Sequence, residues 1–297
     1  MRKGVKQKRK KKIKIKTKDI IQMISCELMG GLGNQLFQIF ATISYAMKHN
    51  NSFCFLYTDN LGDRPTYWNN FLNPLKMFTT NVRPKFQIIR ETEDFRFQEI
   101  PAPYENFHTT LIGYFQSHKY FQKIWNTLSN SIKLDEQKEA TKAKYNHNYD
   151  NIISMHFRLG DYKNKQGYHP LMKYEYYRNS IQHISCVTKN DKLKVLYFCE
   201  KEDDGDVQII IDRLQIQFQE CRFVKIDHGI IDWEQLLMMS LCRHNIIANS
   251  SFSWWGAYFN SHEDKIICYP DLWFGPLLAN KDVQDLFPET WTKITSN

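Results

Sequence analysis

Three polar side chains, His156, Arg158 and Asp161, fall close together in the run HFRLGDY at 156–162. The apolar stretch 152–155 just before them reads as a buried strand. The three groups therefore stand past a strand's carboxyl end, where open α/β sheets bind ligands. Arg158 can fork onto a phosphate with several fixed donors. Gly160 lets the backbone turn tightly or approach a ligand closely. Such a set suits a nucleotide diphosphate. Taken alone, the same residues fit an Arg158–Asp161 ion pair at a strand end, with His156 a satisfied structural residue.

Two further clusters bear on the same chemistry. Asn249, Ser250, Ser251, Phe252 and Ser253 follow a short predicted strand at 246–248 and precede a helical apolar pattern from Phe252 to Phe259. Hydroxyls and N–H groups at a helix N-terminus make an anion site. Plain N-capping by Ser250 or Ser251 uses the same geometry. Gly31-Leu32-Gly33-Asn34-Gln35 follows the predicted strand 20–29 and precedes a helix marked by Leu36, Ile39, Phe40, Ile43, Ala46 and Met47. Strand, glycine turn and helix open a Rossmann-like unit. Leu36 stands where the G-x-G-x-x-G fingerprint needs its third glycine, which weakens a nicotinamide reading. The acidic run Glu202-Asp203-Asp204-Gly205-Asp206 follows the strand 194–199. Asp204-x-Asp206 could hold Mg²⁺ or Mn²⁺. A solvated acidic loop or a base-binding Asp is the preferred reading.

The elements that must position these groups come in two series. A second strand is predicted at 53–57, and a proline- and aromatic-rich stretch of short elements at 60–110. A strand at 111–115 leads into a helix. The charged segment 133–150 lacks an apolar stripe and is the candidate domain boundary. Beyond it the pattern predicts strands at 152–156, 194–199, 223–226 and 266–269, with helices near 171–185, 206–219 and 232–243. Two β/α series predict an α/β fold of two facing Rossmann-like domains with the site in the cleft between them. The expected division is a basic disordered tail at 1–19, an acceptor-side domain at 20–145 and a nucleotide-binding domain at 146–297.

Composition sets outer bounds. The chain has 297 residues, 42% of them hydrophobic, and a formal net charge of +8. Residues 1–18 hold 11 Lys or Arg and no acid. Without them, 29 basic residues face 32 acidic ones, a net of −3, so the basic character lives in the tail. That tail suits an anionic membrane surface or nucleic acid, or a solvated, disordered extension. The acidic body argues against a specific nucleic-acid protein. No apolar run is long enough for a transmembrane helix, and no signal-peptide pattern follows the basic start. A cytoplasmic protein is the expectation. Seven scattered cysteines without a C-x-x-C pair argue against a disulfide framework or structural zinc.

Together the motifs resemble glycosyltransferase family 11, the α-1,2-fucosyltransferases. The resemblance rests on GGLGNQLFQ at 30–38, GYFQSHKYF at 113–121, HFRLGDY at 156–162 and MSLCRHNIIANSSFSWWGAYF at 239–259. It implies a GT-B fold and an inverting transfer of L-fucose from GDP-fucose to a terminal galactoside of a glycan acceptor, with no cofactor and no required metal. Arg158 would hold the diphosphate, with His156 and Asp161 shaping the donor pocket and completing the catalytic set. Ser250 and Ser251, with Asn249, Phe252 and Ser253 in the same block, would bind the donor. Gly31, Gly33 and Asn34 would line the cleft from the other side. Asp203 and Asp204 are the candidates for guanine. The family pattern usually has a second Arg where Leu159 stands, and a Ser-Asp-Asp run where this chain reads CEKEDDGD. Transfer with α-1,3 or α-1,6 linkage, or a non-catalytic nucleotide- or glycan-binding module, is the alternative.

Overall fold

The computed structural model describes residues 22–82, 86–92, 95–105 and 107–296. The basic tail at 1–19 lies outside the described residues. Two all-parallel sheets organise the chain. In the first, β1 (Met23–Cys26), β2 (Ser52–Phe53), β3 (Phe86–Arg90) and β4 (His108–Ile112) lie in the order β2-β1-β4-β3. In the second, β5 (Ile152–His156), β6 (Lys194–Phe198), β7 (Arg222–Lys225), β8 (His244–Ile246), β9 (Ile267–Pro270) and β10 (Thr292–Ile294) lie in the order β7-β6-β5-β8-β9-β10. Counted within its own sheet, that order is 3-2-1-4-5-6, the doubly wound dinucleotide-binding topology. The order reverses between β5 and β8. This unit and the smaller unit built on the four-stranded sheet face each other across a cleft, the GT-B arrangement expected from the sequence.

The second sheet is covered on both faces, so its strands lose polar alternation. All five residues of β5 are buried. Ile153 and Met155 pack with α4 (Tyr174–Thr188) and α5 (Asp204–Gln217). Ile152, on the opposite face, packs with Met238 and Met239 of α6 (Asp232–Leu241).

The two units share one core. Helix α1 (Leu32–Lys48) of the first meets α7 (Ser251–Tyr258) of the second. The Phe37 ring lies 4.5 Å from Trp254 and 4.8 Å from Trp255, and Phe40 lies 5.2 Å from Trp255, centroid to centroid. The Trp255 indole N–H donates to the Gly33 carbonyl at 2.8 Å. Gly33 touches the α7 backbone so closely that an added Cβ would fall 2.6 Å from the Phe252 nitrogen and closer still to the Ser251 carbonyl.

Several sequence expectations shift. The glycine turn is shorter than 30–34, because α1 begins at Leu32 and takes in Gly33 and Asn34. The predicted strand 53–57 divides. Ser52–Phe53 joins the first sheet, whereas Phe55–Leu56 pairs with Thr79–Thr80 apart from it. The element after 115 is a pair of 3₁₀ turns before α2 (Trp125–Ser131). The strand placed at 246–248 runs earlier, at His244–Ile246. The segment 133–150 contains α3 (Leu134–Lys144), whose stripe is Leu134, Lys138 and Thr141. Lys138 is buried there and donates to the Phe259 carbonyl and the Ser261 hydroxyl, each at 3.0 Å. A lysine in the stripe hid the helix from a hydrophobic pattern. The seven cysteines are free and, except Cys186, buried.

Gly33→Ala is expected to destabilise the fold by at least about 1–3 kcal/mol, the usual cost of overpacking. Gly31→Ala, whose Cβ would meet nothing within 4 Å, is the control. Urea unfolding of both variants checks this, and equal midpoints would contradict the α1–α7 contact.

Candidate functional site

A cavity of about 690 Å³ opens at the carboxyl ends of β1, β5, β6 and β8. Gly30, Gly31, Gly33, Asn34, Tyr67 and Tyr114 line it from the first unit. His156, Arg158, Asp161, Ser250, Ser251 and Phe252 line it from the second. It occupies the switch point between β5 and β8, where this topology leaves a crevice.

Arg158 is the charge at its centre. Its side chain is 14% exposed, and the guanidinium bonds the carboxylates of Glu200 and Asp161 and lies 4.8 Å from the Tyr162 ring centroid. Lys165 reaches Asp161 at 3.1 Å. The turn that carries them depends on Gly160, whose φ is +36° and whose added Cβ would strike Glu200 and lie 3.0 Å from Arg158 Nη1. The Gly160 N–H donates to the Asp203 carboxylate at 2.7 Å.

The start of α7 forms the opposite wall. Ser250 is its N-cap and accepts from the Phe252 N–H at 3.3 Å. The Ser251 hydroxyl donates to Asn34 Oδ1 at 2.7 Å, and Gln116 donates to the same oxygen at 2.9 Å. The Asn34 carbonyl oxygen is therefore saturated, which fixes the amide with Nδ2 as its remaining donor. First-turn N–H groups of α7 have no partner within their own helix, so they supply the positive end expected of an anion site.

Four of the sequence candidates do not line the cavity. Asn249 is buried beneath it, and its amide donates to the carbonyls of Pro170 at 2.9 Å and Trp273 at 3.2 Å. Ser253 is buried inside α7 and bonds the Ser250 and Ala248 carbonyls. Asp203, 1% exposed, is held by Gly160 and by Lys163 at 2.7 Å. Asp204 bonds Lys225 at 2.7 Å and His228 at 2.9 Å. Its carboxyl is pulled down to about 2, chiefly by Lys225 against the opposing effect of burial, with His228 adding a smaller pull. Asp206 turns to Lys163 at 2.7 Å, so Asp204 and Asp206 do not converge on one ion. A 3₁₀ turn at Lys201–Asp203 swings Asp203 and Asp204 away and leaves Glu200, Lys201 and Glu202 on the cavity wall. Glu200 and Lys201 were missed, and Glu202 was named only as a member of the acidic run. They follow the end of β6 as His156–Asp161 follows the end of β5, and that parallel was the available signal. Tyr67 and Asp232 were missed as well. They bond each other across the cleft.

The family model of glycosyl transferase family 11 matches residues 6–295. The chain belongs to glycosyl transferase family 11. An Escherichia coli relative described as O-antigen biosynthesis glycosyltransferase WbnK is 24% identical over 315 residues, covering 92% of this chain and 100% of that protein. A second E. coli relative, described as alpha-1,2-colitosyltransferase, is 24% identical over 308 residues, covering 92% of this chain and 99% of that one. Among solved structures, E. coli ADP-heptose LPS heptosyltransferase II aligns with a TM-score of 0.47 at 9% identity, over 92% of this chain and 90% of its own. No described helix of this glycosyltransferase is long and apolar enough to cross a membrane.

The glycosyltransferase departs from the usual motif at Leu159, which is buried and belongs to the core cluster beneath β5 and β6. An arginine there would have to leave that cluster to reach solvent. The two remaining candidate bases are both poorly basic. His156 is buried, and its pKa falls to about 3, mainly through burial and also through Arg158. Burial pushes the Asp161 carboxyl up, but Arg158 and Lys165 outweigh it and hold it below the usual carboxylate range.

The His156 shift has a consequence for stability. Its folded pKa lies below the unfolded value of 6.5, so the unfolded chain binds the extra proton as pH falls. The contribution is complete above pH 6.5 and is lost progressively toward pH 3. His244, lowered to about 4 chiefly by burial, acts in the same direction. Unfolding free energy is expected to drop between pH 7.5 and 5, each histidine approaching about 1.4 kcal/mol per pH unit. His156→Gln should flatten that slope in urea titrations at several pH values. An unchanged slope would refute the assignment.

Proposed function

We propose that this glycosyltransferase moves L-fucose from GDP-fucose to a terminal galactoside, forming an α-1,2 linkage with inversion and without a metal. The observation that carries the reading is the pairing of Arg158 with the N-terminal turn of α7 on one cavity at the β5/β8 switch point. Breaking the glycosidic bond puts an extra negative charge on the β-phosphate. Donors fixed before the reaction stabilise that charge mainly in the transition state.

Each residue then has a chemical task. Arg158 forks onto the diphosphate, and Glu200, which lies half-exposed on it, gives way to phosphate oxygens. The α7 N–H groups and the Ser250 hydroxyl add neutral donors. Ser251 orients Asn34, and the Asn34 amide turns its remaining N–H bonds to the donor. Asp161 holds Arg158 in register. His156 stays uncharged and walls the pocket beside Phe252, their rings 5.7 Å apart. Neither Asp161 nor His156 is matched to take a proton near neutral pH. Departure of the nucleotide then leads, and the acceptor hydroxyl attacks the fucosyl carbon as its proton passes to the departing β-phosphate or to solvent. Glu200 and Glu202, rather than Asp203 and Asp204, are the carboxylates placed to meet the base.

A charge-assisted hydrogen bond contributes roughly 1.5–3 kcal/mol. Loss of two costs about 3–6 kcal/mol, on the order of 10²–10⁴ in rate. Arg158→Lys is expected to lower kcat by that factor with an unchanged melting temperature, because an ammonium cannot reproduce the fork. GDP release and linkage analysis of the product measure it, and near-normal turnover would remove Arg158 from this role. Activity should survive EDTA; a complete, Mn²⁺-reversible loss would overturn the metal-free mechanism. A colitosyl donor is the second reading, favoured by the relative described as a colitosyltransferase. GDP-fucose and GDP-colitose compared in one assay separate the two.

A further inference from the structure

The first sheet is covered on one face only. Ile24, Ile89 and Leu111 are buried on the side that α1 covers. The alternate residues form a row on the other side, where register places Ser25 opposite Thr110 and Thr110 opposite Ile88. Burial along β4 alternates accordingly, with Thr109 and Leu111 buried and Thr110 and Ile112 only half-buried. All-parallel sheets normally have both faces covered. Here no described helix closes the second face. A cavity of about 560 Å³ stands in its place, within the usual size of a small-molecule site of about 300–1,000 Å³.

The lining of this cavity selects its occupant. Ser25, Thr110, Ile88 and Ile112 form the floor, and Leu56 and Leu61 stand opposite. Among the described residues, the polar side chains are four Ser or Thr hydroxyls, and the one charged side chain is Glu27. The lining holds, among the described residues, no aromatic ring, amide, lysine, arginine or histidine that would stack on or fork onto a sugar. Ile88 at 49% and Val82 at 70% exposure present apolar surface at the rim. Gly30 lines both this cavity and the nucleotide cleft, so the two adjoin at the carboxyl end of β1. We infer that the acceptor is an amphiphile, with its sugar end at the cleft and an alkyl aglycone lying in this cavity. The inference rests on the transferase reading of the cleft and adds the substrate class.

Binding of octyl and methyl β-galactosides, each below its micelle concentration, tests it by calorimetry without donor. The octyl compound should bind at least about tenfold more tightly, as buried methylenes in a hydrophobic pocket do. Ile88→Asp and Thr110→Trp should each abolish that difference and leave the KM of the methyl compound unchanged. Ile88 is exposed enough for the first variant to fold, and the second blocks the cavity by bulk alone. Equal affinities for the two glycosides would overturn the inference. So would a concentration-dependent dimer dissolved by Ile88→Asp without any aglycone preference. Adding GDP-fucose separates the two readings. Tight octyl binding without fucosyl transfer removes the donor assignment and leaves the cavity, whereas transfer to both glycosides at equal KM removes the cavity alone.

Discussion

The contact between the first turns of α1 and α7 is the constraint on which the site depends. Gly33 lies against the backbone of Ser251 and Phe252, a separation that tolerates no Cβ. The Trp255 indole then bonds the Gly33 carbonyl, and the Ser251 hydroxyl bonds Asn34. Two helix N-termini from different units therefore meet at one point. The positive ends of both face the same cavity, and a diphosphate is the kind of group that benefits from two such ends. The aromatic packing of Phe37 and Phe40 on Trp254 and Trp255 keeps the helices at that separation.

Electrostatic balance follows from the same geometry. A guanidinium this deeply placed needs counter-charge, and Glu200 and Asp161 supply it. The two acids differ in freedom. Asp161 belongs to the Gly160 turn, which the buried Asp203 anchors from below. Glu200 stands on the opposite loop with its side chain half-exposed. An arriving phosphate can displace the second without dismantling the first. The site therefore stays preorganised in the absence of donor, which is the condition for electrostatic stabilisation without reorganisation.

Legibility in the sequence followed local determinism. The strand 152–156 and the run His156–Asp161 were readable because a fully buried strand is a continuous apolar run and its end is marked by Gly160. Ser250 and Ser251 were readable because capping and anion binding use the same residues. Asp203 and Asp204 misled because composition does not show which way a 3₁₀ turn rotates its side chains. Helix α3 was hidden because Lys138 occupies a stripe position and satisfies its ammonium on the end of α7. Asn249 and Ser253 carry the right chemistry but are committed to backbone carbonyls, Asn249 to those of Pro170 and Trp273 and Ser253 to those of its own turn. The departure at Leu159 was visible as an oddity, and its reason, a place in the core, was visible only in three dimensions.

The two sheets divide the work by how completely they are covered. Burying both faces of the second sheet fixes β5 and β8, and with them the strand ends that carry Arg158 and the α7 turn. A nucleotide needs that rigidity, because a misplacement of about 1 Å can cost on the order of 10²-fold in rate. The first sheet contributes a different property. Helix α1 anchors one face to the shared core, so Gly30–Asn34 stay in place at the cleft. The other face needs no helix for the sheet to hold, because β1 and β4 already contribute Ile24 and Leu111 to that core. Sequence change in Ser25, Thr110, Ile88 and Ile112 is thereby uncoupled from the donor machinery. With the acceptor read as lying on this face, such an arrangement lets acceptor choice vary while the strand ends that carry Arg158 and the α7 turn stay fixed.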